Sequence, residues 1–297
     1  MKEEFEFLFS LVVSGLSIGM MYSLIALGFV LVYKATDAIN FAQGEFVMLA
    51  GFICAGMLAA SVPLWMAIPI AIIAMVVFSF ALERVVLRPL LGRPVVAVIM
   101  ATIGLAAILR GLPPITIGSQ TLTIPLPIGD EPVKFLGTSL AQIQVLGLVV
   151  SAACLGGFTW FFMKSRMGVA MRAVADNQQV AMAMGINVER YFAIAWAMAG
   201  IVAALGGIIW GSMLGVDTQL ALVGLKVFPV VILGGLDSII GAVVGGLIIG
   251  VVESVAAGYL DPIVGGGTKD FAPYVVMIIA LMFRPYGLFG KHKIERI

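Results

Sequence analysis

Three groups of residues in this 297-residue chain have side chains that could do chemistry. The first, Gly15-Leu16-Ser17-Ile18-Gly19, matches the G-x-S-x-G pattern that sets a nucleophilic serine on a strand-to-helix turn. That chemistry needs a histidine base, and the single histidine, His292, stands in the terminal tail. Ser17 lies inside an apolar helical run, where small residues serve close helix packing instead. One histidine also rules out the H-E-x-x-H zinc protease. No G-x-x-x-x-G-K-[ST] occurs, and in Gly265-Gly266-Gly267-Thr268-Lys269 the lysine is misplaced for a phosphate cradle. Energy for any active process must then come from a partner or an ion gradient. Nothing implies a cofactor.

The second group interrupts a greasy stretch. Phe7 to Tyr33 runs 27 residues without a formal charge, and Phe46 to Leu82 runs 37 more. Between them stand Lys34, Asp37, Asn40, Gln43 and Glu45. On a helix, Asp37, Asn40 and Gly44 share a face at i, i+3 and i+7. Polar groups at membrane depth are costly and face a bundle interior or a water-filled cavity. A cytoplasmic turn with no special role is the alternative, and spacing alone does not choose.

The third group is similar in plan. Within 224–253, Lys226, Asp237 and Glu253 punctuate apolar helices. Gly234-Gly235 precede Asp237-Ser238, and Gly241, Gly245, Gly246 and Gly250 mark a small-residue face. Pro229 removes a backbone donor and kinks its helix. A helix broken by Gly and Pro at membrane depth points to a translocation site. Asp37, Asn40, Gln43, Glu45, Lys226, Asp237, Ser238 and Glu253 are therefore candidates for such a path. The plainer alternatives are an anchoring, snorkelling Lys226 and a Glu253 paired with a neighbouring donor. NFAQGEFVMLAG and LGGLDSIIGAVVGG match faintly, as an internal repeat would.

The elements that position these groups are set by composition. The chain is 62% hydrophobic and 11% charged, with mean hydropathy +1.14, against roughly 25% charged in soluble domains. Apolar runs stand at 10–33, 46–61, 64–82, 95–109, 141–163, 191–213, 223–235, 238–257 and 271–283. Lipid offers no partner for a bare N–H or C=O, so these runs must be helices. The alternation of a transmembrane β-barrel is missing. The expectation is an all-α, polytopic bundle of about eight to ten spans with glycine-broken helices, forming a single membrane domain over 1–297. The acidic start (Glu3, Glu4, Glu6) has no cleavable leader pattern. Net charge +1 gives no reason to expect nucleic acid. Cys54 and Cys154 read as buried free thiols.

Lys and Arg set orientation by staying on the cytoplasmic side. Lys34, Arg84, Arg88, Arg93, Lys164, Arg166, Arg172, Arg190, Arg284, Lys291, Lys293 and Arg296 all fall inside on a nine-crossing path with an outside N-terminus. The outside segment 111–139, rich in Pro, Thr and Gly, should be a turn-rich loop with at most short strands. The inside segment 164–190 differs. Val169 to Met184 has no Gly or Pro, Gly185 stands where a C-terminal cap would, and Arg172 and Asp176 lie at i, i+4. One short surface helix is expected there.

Three motifs together carry a resemblance. Asn40-Phe41-Ala42-Gln43-Gly44-Glu45, then Gly224-Leu225-Lys226 with Leu233-Gly234-Gly235 through Gly250, and Met184-Gly185-Ile186-Asn187 resemble the LivH-type permease subunits of bacterial branched-chain amino-acid ABC importers. The likeness covers nearly the whole chain. Relatives in the wider group carry sugars or amides, and the N-F-A-x-G-E form favours the amino-acid and amide branch. Gln43 departs from the histidine common there. The resemblance implies an inner-membrane permease without ATPase activity of its own. It also implies a second homologous membrane subunit, two ATP-binding subunits on the cytoplasmic face and a periplasmic solute-binding protein. Segment 169–185 would be the coupling helix, and Arg172, Ala175, Asp176, Asn177 and Gly185 match the family's coupling region. From the residues alone, an ion-coupled secondary transporter and a passive channel stay open.

Overall fold

A computed structural model of the protein describes residues 2–90, 93–129, 131–135 and 138–290. The tail residues Lys291, His292, Lys293 and Arg296 lie outside the described residues. An apolar helix stands at each place where an apolar run does: α1 (Lys2–Thr36), α2 (Gln43–Ala59), α3 (Leu64–Leu82), α4 (Val95–Thr116), α5 (Gln142–Lys164), α8 (Val188–Leu214), α9 (Leu222–Gly234), α10 (Ile239–Tyr259) and α12 (Thr268–Phe283). Between them lie the short α6 (Arg166–Asp176), α7 (Gln178–Ala183) and α11 (Asp261–Val264). Strands are confined, among the described residues, to one hairpin, β1 (Val133–Phe135) against β2 (Thr138–Leu140). Among the described residues, six helices are long and apolar enough to cross a membrane: α1, α3 with its continuation to Leu90, α4, α5, α8 and α10. The all-α polytopic expectation therefore stands.

Three boundaries differ most from those read in the sequence, the first being that α1 begins at Lys2 rather than at residue 10. Helix α4 runs seven residues past 109, to Thr116, and takes in Pro113 and Pro114. A proline gives up one ladder bond to the preceding turn but leaves its own carbonyl usable. Pro113 O accepts from both Ile117 N (2.8 Å) and Gly118 N (3.2 Å), and the helix ends there. Helix α3 does not stop at Leu82. It widens into a π-turn over Glu83–Leu87 and tightens into a 3-10 turn over Arg88–Leu90. Arg88 grips the buried Glu83 at 3.1 Å and reaches Glu189 at 3.1 Å.

The chain divides into two compact units, one of residues 1–26, 127–155 and 226–297, the other of 27–126 and 156–225. In the first, α10 carries two glycine stripes rather than one face. Gly241 and Gly245 lie on α9, where Cβ atoms would stand 2.2 Å from Gly234 O and 2.4 Å from Val230 O. Gly246 and Gly250 lie on α1, opposite Gly19 and Gly15. The pattern that mimicked a nucleophile elbow is thus half of a reciprocal G-x-x-x-G contact, which lets two backbones approach closely. The turn after α10 is closed by Asp261, whose carboxylate accepts from Thr268 N at 2.8 Å. The Thr268 hydroxyl donates to the same carboxylate, and these two bonds hold the Asp261 carboxyl below its ordinary value.

In the second unit α8 is the hub. Gly200 sits on Met75 and Ser79 of α3, and Gly207 sits on Val47 and Gly51 of α2. The Phe46 ring packs against Trp196 (6.1 Å between centroids) and Phe78 (5.5 Å), so aromatic burial fills what the glycines leave. Cys54 in this unit is buried and Cys154 in the first unit half-buried, both as free thiols.

Candidate functional site

Helix α1 ends at Thr36, and α2 begins only at Gln43. Asp37, Asn40 and Gly44 therefore do not share a helical face. Asp37 takes a left-handed conformation (φ 53°), which stops the helix although it is not glycine. The Thr36 hydroxyl accepts from Ala38 N at 3.3 Å, and Asn40 Oδ1 accepts from Ala42 N at 3.1 Å. Asn and Thr side chains bonding to nearby backbone offer the chain this alternative to a helix.

The break separates its polar residues. Asp37 is exposed, whereas Asn40, Gln43 and Glu45 are all buried. Asn40 Nδ2 donates to Gln43 Oε1 (3.2 Å), and Gln43 Nε2 reaches Ala199 O (3.5 Å) while lying over Gly28 of α1. Ala199 is about 17 Å along α8 from Val188, at 1.5 Å per residue. Phe41 N donates to Thr102 Oγ1 (3.3 Å), about 10 Å into α4 by the same rise. The buried part of the break thus stands well inside the length of the long helices rather than at their ends. Glu45 pairs with Arg110 of α4. Gly44 allows α2 to start against the 3-10 turn Thr218–Ala221 and α9, since a Cβ there would meet Ala221 O at 2.3 Å.

The segment expected as one surface helix is two. Asn177 ends α6 with extended backbone (φ −159°) and caps α7, its Oδ1 accepting from Val180 N at 3.0 Å. Asparagine competes with the helix ladder and favours caps, which is why a run without Gly or Pro still breaks. Ser165 caps α6 through Gly168 N (2.9 Å), and Gly168 presses on the Phe161 and Phe162 carbonyl oxygens of α5. Gly185 (φ 81°) closes α7 as the sequence indicated, with Ile186 N bonded back to Ala181 O at 3.0 Å. Gly168, Met171 and Val174 are buried, whereas Arg172 and Asp176 are exposed.

This segment touches α1 immediately before the break. Gln178 Nε2 donates to Ala35 O at 3.3 Å. Arg172 and Ala175 border a small pocket with Leu31, Lys34 and Ala35. Contacts therefore run from α6 and α7 to the end of α1 at Ala35, and across the break Asn40 bonds Gln43 of α2, which reaches Ala199 O of α8.

The second break, 235–238, lies in the first unit. Gly235 (φ 105°) turns the chain, and Ser238 Oγ caps α10 by accepting from Gly241 N at 2.9 Å. The α9 carbonyl groups of Leu233 and Gly234 are met by Leu288 N (2.8 Å) and Phe289 N (3.0 Å) of the segment after α12. Asp237 is half-buried beside Gly290. Lys226 and Glu253, path candidates in the sequence with an anchor and a paired acceptor as the plainer alternatives, meet each other at 3.5 Å, and Lys226 lies 2.7 Å from Asp270.

Several members of these clusters carry no local sequence signal. Arg110, Thr102, Asp270 and the Ala199 carbonyl lie far along the chain from their partners. A charge late in an apolar span, as Arg110 is, was the available hint.

The family model described as "Branched-chain amino acid transport system / permease component" matches residues 11–283. BraD of Pseudomonas aeruginosa, a high-affinity branched-chain amino acid transport system permease protein, is 33% identical over the whole of both chains. LivH of Salmonella typhimurium, with the same description, is 28% identical over the whole of both. The autoinducer 2 import system permease protein LsrC of Yersinia enterocolitica is 28% identical over 62% of this chain and 52% of its own.

Proposed function

The chain belongs to the permease-component family of branched-chain amino acid transport systems, and from that premise we propose that it moves branched-chain amino acids across the bacterial inner membrane, driven by ATP hydrolysed on separate subunits. Its partners are a second, homologous membrane subunit, two ATP-binding subunits on the cytoplasmic face and a periplasmic solute-binding protein. Full-length likeness to BraD and LivH supports this substrate class over the partial likeness to LsrC.

The observation that carries the mechanism is the contact between α6–α7 and the end of α1. A motor outside the bilayer needs a rigid element to push, and that element must touch something in the bundle that can rearrange. The outer face of the segment exposes Val169, Val180, Met182 and Met184, apolar groups that suit a protein partner. Arg172, Ala175, Asp176, Asn177 and Gly185 shape this element. Closure of the ATP-binding subunits displaces α6–α7, the displacement reaches Ala35 through Gln178, and the flanks of the 37–42 break shift. Asn40, Gln43 and Glu45 brace the break in one unit. Asp237, Ser238, Lys226 and Glu253 do so in the other, while the exposed Asp37 stands at the inner end of the path. A zwitterion with an aliphatic tail suits apolar walls with few polar groups, and tight selection is left to the binding protein.

The test is reconstitution in liposomes. Labelled leucine should enter only with ATP, both ATP-binding subunits and the binding protein. Asp176→Ala or Gly185→Val should lower ATP-binding-subunit association and uptake together. Uptake by this chain alone under a proton or sodium gradient would contradict the reading and favour a secondary transporter.

A further inference from the structure

An open groove of about 480 Å³ lies in the second unit, between the end of α3 with its continuation, the start of α6 and the first turns of α8. Its character changes along its length. Exposed Phe80 of α3 and half-buried Ile194 and Ala197 of α8 line the apolar part. Both helices are long and apolar enough to cross a membrane, so this part faces acyl chains. The polar residues Arg88, Asn187, Glu189 and Arg190 gather at one end, which the distribution of Lys and Arg places on the cytoplasmic side. Ala197 lies about 10 Å along α8 from Arg190, at 1.5 Å per residue. The charges at this end do not cancel. Arg88 holds Glu189 at 3.1 Å and the buried Glu83 through two bonds. Arg190 is exposed, and its guanidinium has no acceptor among the described residues. Asn187 uses Oδ1 to cap α8 through Arg190 N at 3.0 Å, which leaves its Nδ2 as a second donor.

We propose that this groove binds an anionic phospholipid of the cytoplasmic leaflet, with its phosphate at Arg190 and one acyl chain running toward Ala197 and Phe80. An unmatched cation at headgroup level, beside apolar walls at chain level, repeats the order of polar and apolar groups in such a lipid. A zwitterionic phospholipid fits less well, because its ammonium needs a carboxylate and Glu189 is already held. A free phosphate would leave the apolar part of the groove empty. Met167, at the start of α6, borders the same groove. A bound lipid therefore packs α6 against α3 and α8, and it stabilises the folded chain whatever solute is carried.

The full chain, purified in detergent and stripped of lipid, is titrated with dioleoyl phosphatidylglycerol or dioleoyl phosphatidylethanolamine. Binding is read by native mass spectrometry and stability by thermal unfolding. Phosphatidylglycerol should bind about tenfold more tightly and raise the unfolding temperature more. Arg190→Gln should weaken phosphatidylglycerol about tenfold, the scale of losing one charged hydrogen bond, and leave phosphatidylethanolamine unchanged, while Arg190→Lys keeps part of the preference. Arg84→Gln removes another exposed arginine, one that does not line the groove, and should change neither lipid. Ala197→Phe fills the apolar part and should weaken phosphatidylglycerol with Arg190 intact. If Ala197→Phe does not fold, the comparison of Arg190→Gln with Arg84→Gln decides alone. Equal binding of the two lipids, or equal losses in Arg190→Gln and Arg84→Gln, would mean ordinary boundary lipid and overturns the inference. Displacement of the lipid by millimolar glycerol phosphate overturns it in favour of a free phosphate compound. Loss of the lipid on adding ATP-binding subunits overturns it in favour of a protein occupant. Each of these results leaves the proposed function intact.

Discussion

Arg110→Met lowers the stability of the detergent-solubilised protein more than Glu45→Gln does, and adding Glu45→Gln to Arg110→Met recovers part of the loss. The order follows from an asymmetry in the pair. The Glu45 side chain is 3% exposed and that of Arg110 is 47% exposed. Removing the arginine leaves a carboxylate buried beside α4 with its cationic partner gone, which costs about 3 kcal/mol or more. Removing the carboxylate leaves a long, half-exposed cationic side chain that can extend away from the bundle toward the membrane interface, so the loss is smaller. Thermal unfolding of the three variants checks this. If Arg110→Met and Glu45→Gln are equally damaging, the pair does not anchor the start of α2 in the way described.

Gly19→Ala should lower the unfolding temperature strongly, although it adds one methyl group. A Cβ at Gly19 would stand 2.3 Å from Gly246 O, a backbone atom that cannot turn aside. Either α1 and α10 separate or both helices shift, and overpacking of this kind costs roughly 1–3 kcal/mol. Gly56→Ala on α2 and Gly104→Ala on α4 are the controls, because nothing lies within 4 Å of either position. In those two the better helix propensity of alanine should leave stability unchanged or raise it by up to about 1 kcal/mol. Comparable losses in all three variants would mean that α1 and α10 do not meet through their glycines.

How much of this was legible in the sequence depends on how local each signal is. The apolar runs declared the helices, because a charge-free stretch such as Phe7–Tyr33 has few other ways to sit in lipid. The break at 37–42 was visible as a polar interruption. Its form was not, because Asp37 reverses the chain by a backbone angle that only Gly, Asn and Asp adopt readily, and periodicity does not register it. The split of segment 164–190 was marked by Asn177, a cap former inside a run read as one helix from its lack of Gly and Pro, its Gly185 cap and its Arg172–Asp176 spacing. The two glycine stripes on α10 were visible as small residues, but which stripe meets α1 and which meets α9 is a property of packing. The partners of Glu45 and Gln43 were beyond reach, because contacts across 65 and 156 residues leave no periodic trace.

The central claim is that the motor's push enters through α6–α7 and reaches the break by way of α1. Leucine imported per ATP hydrolysed, measured in liposomes for the wild type and for Asn177→Ala/Gln178→Ala, tests it most directly. The double variant removes the α7 cap and the bond to Ala35 O but leaves the outer face of the segment in place. The account predicts that ATP hydrolysis continues while the ratio falls several-fold. A ratio equal to that of the wild type would contradict it.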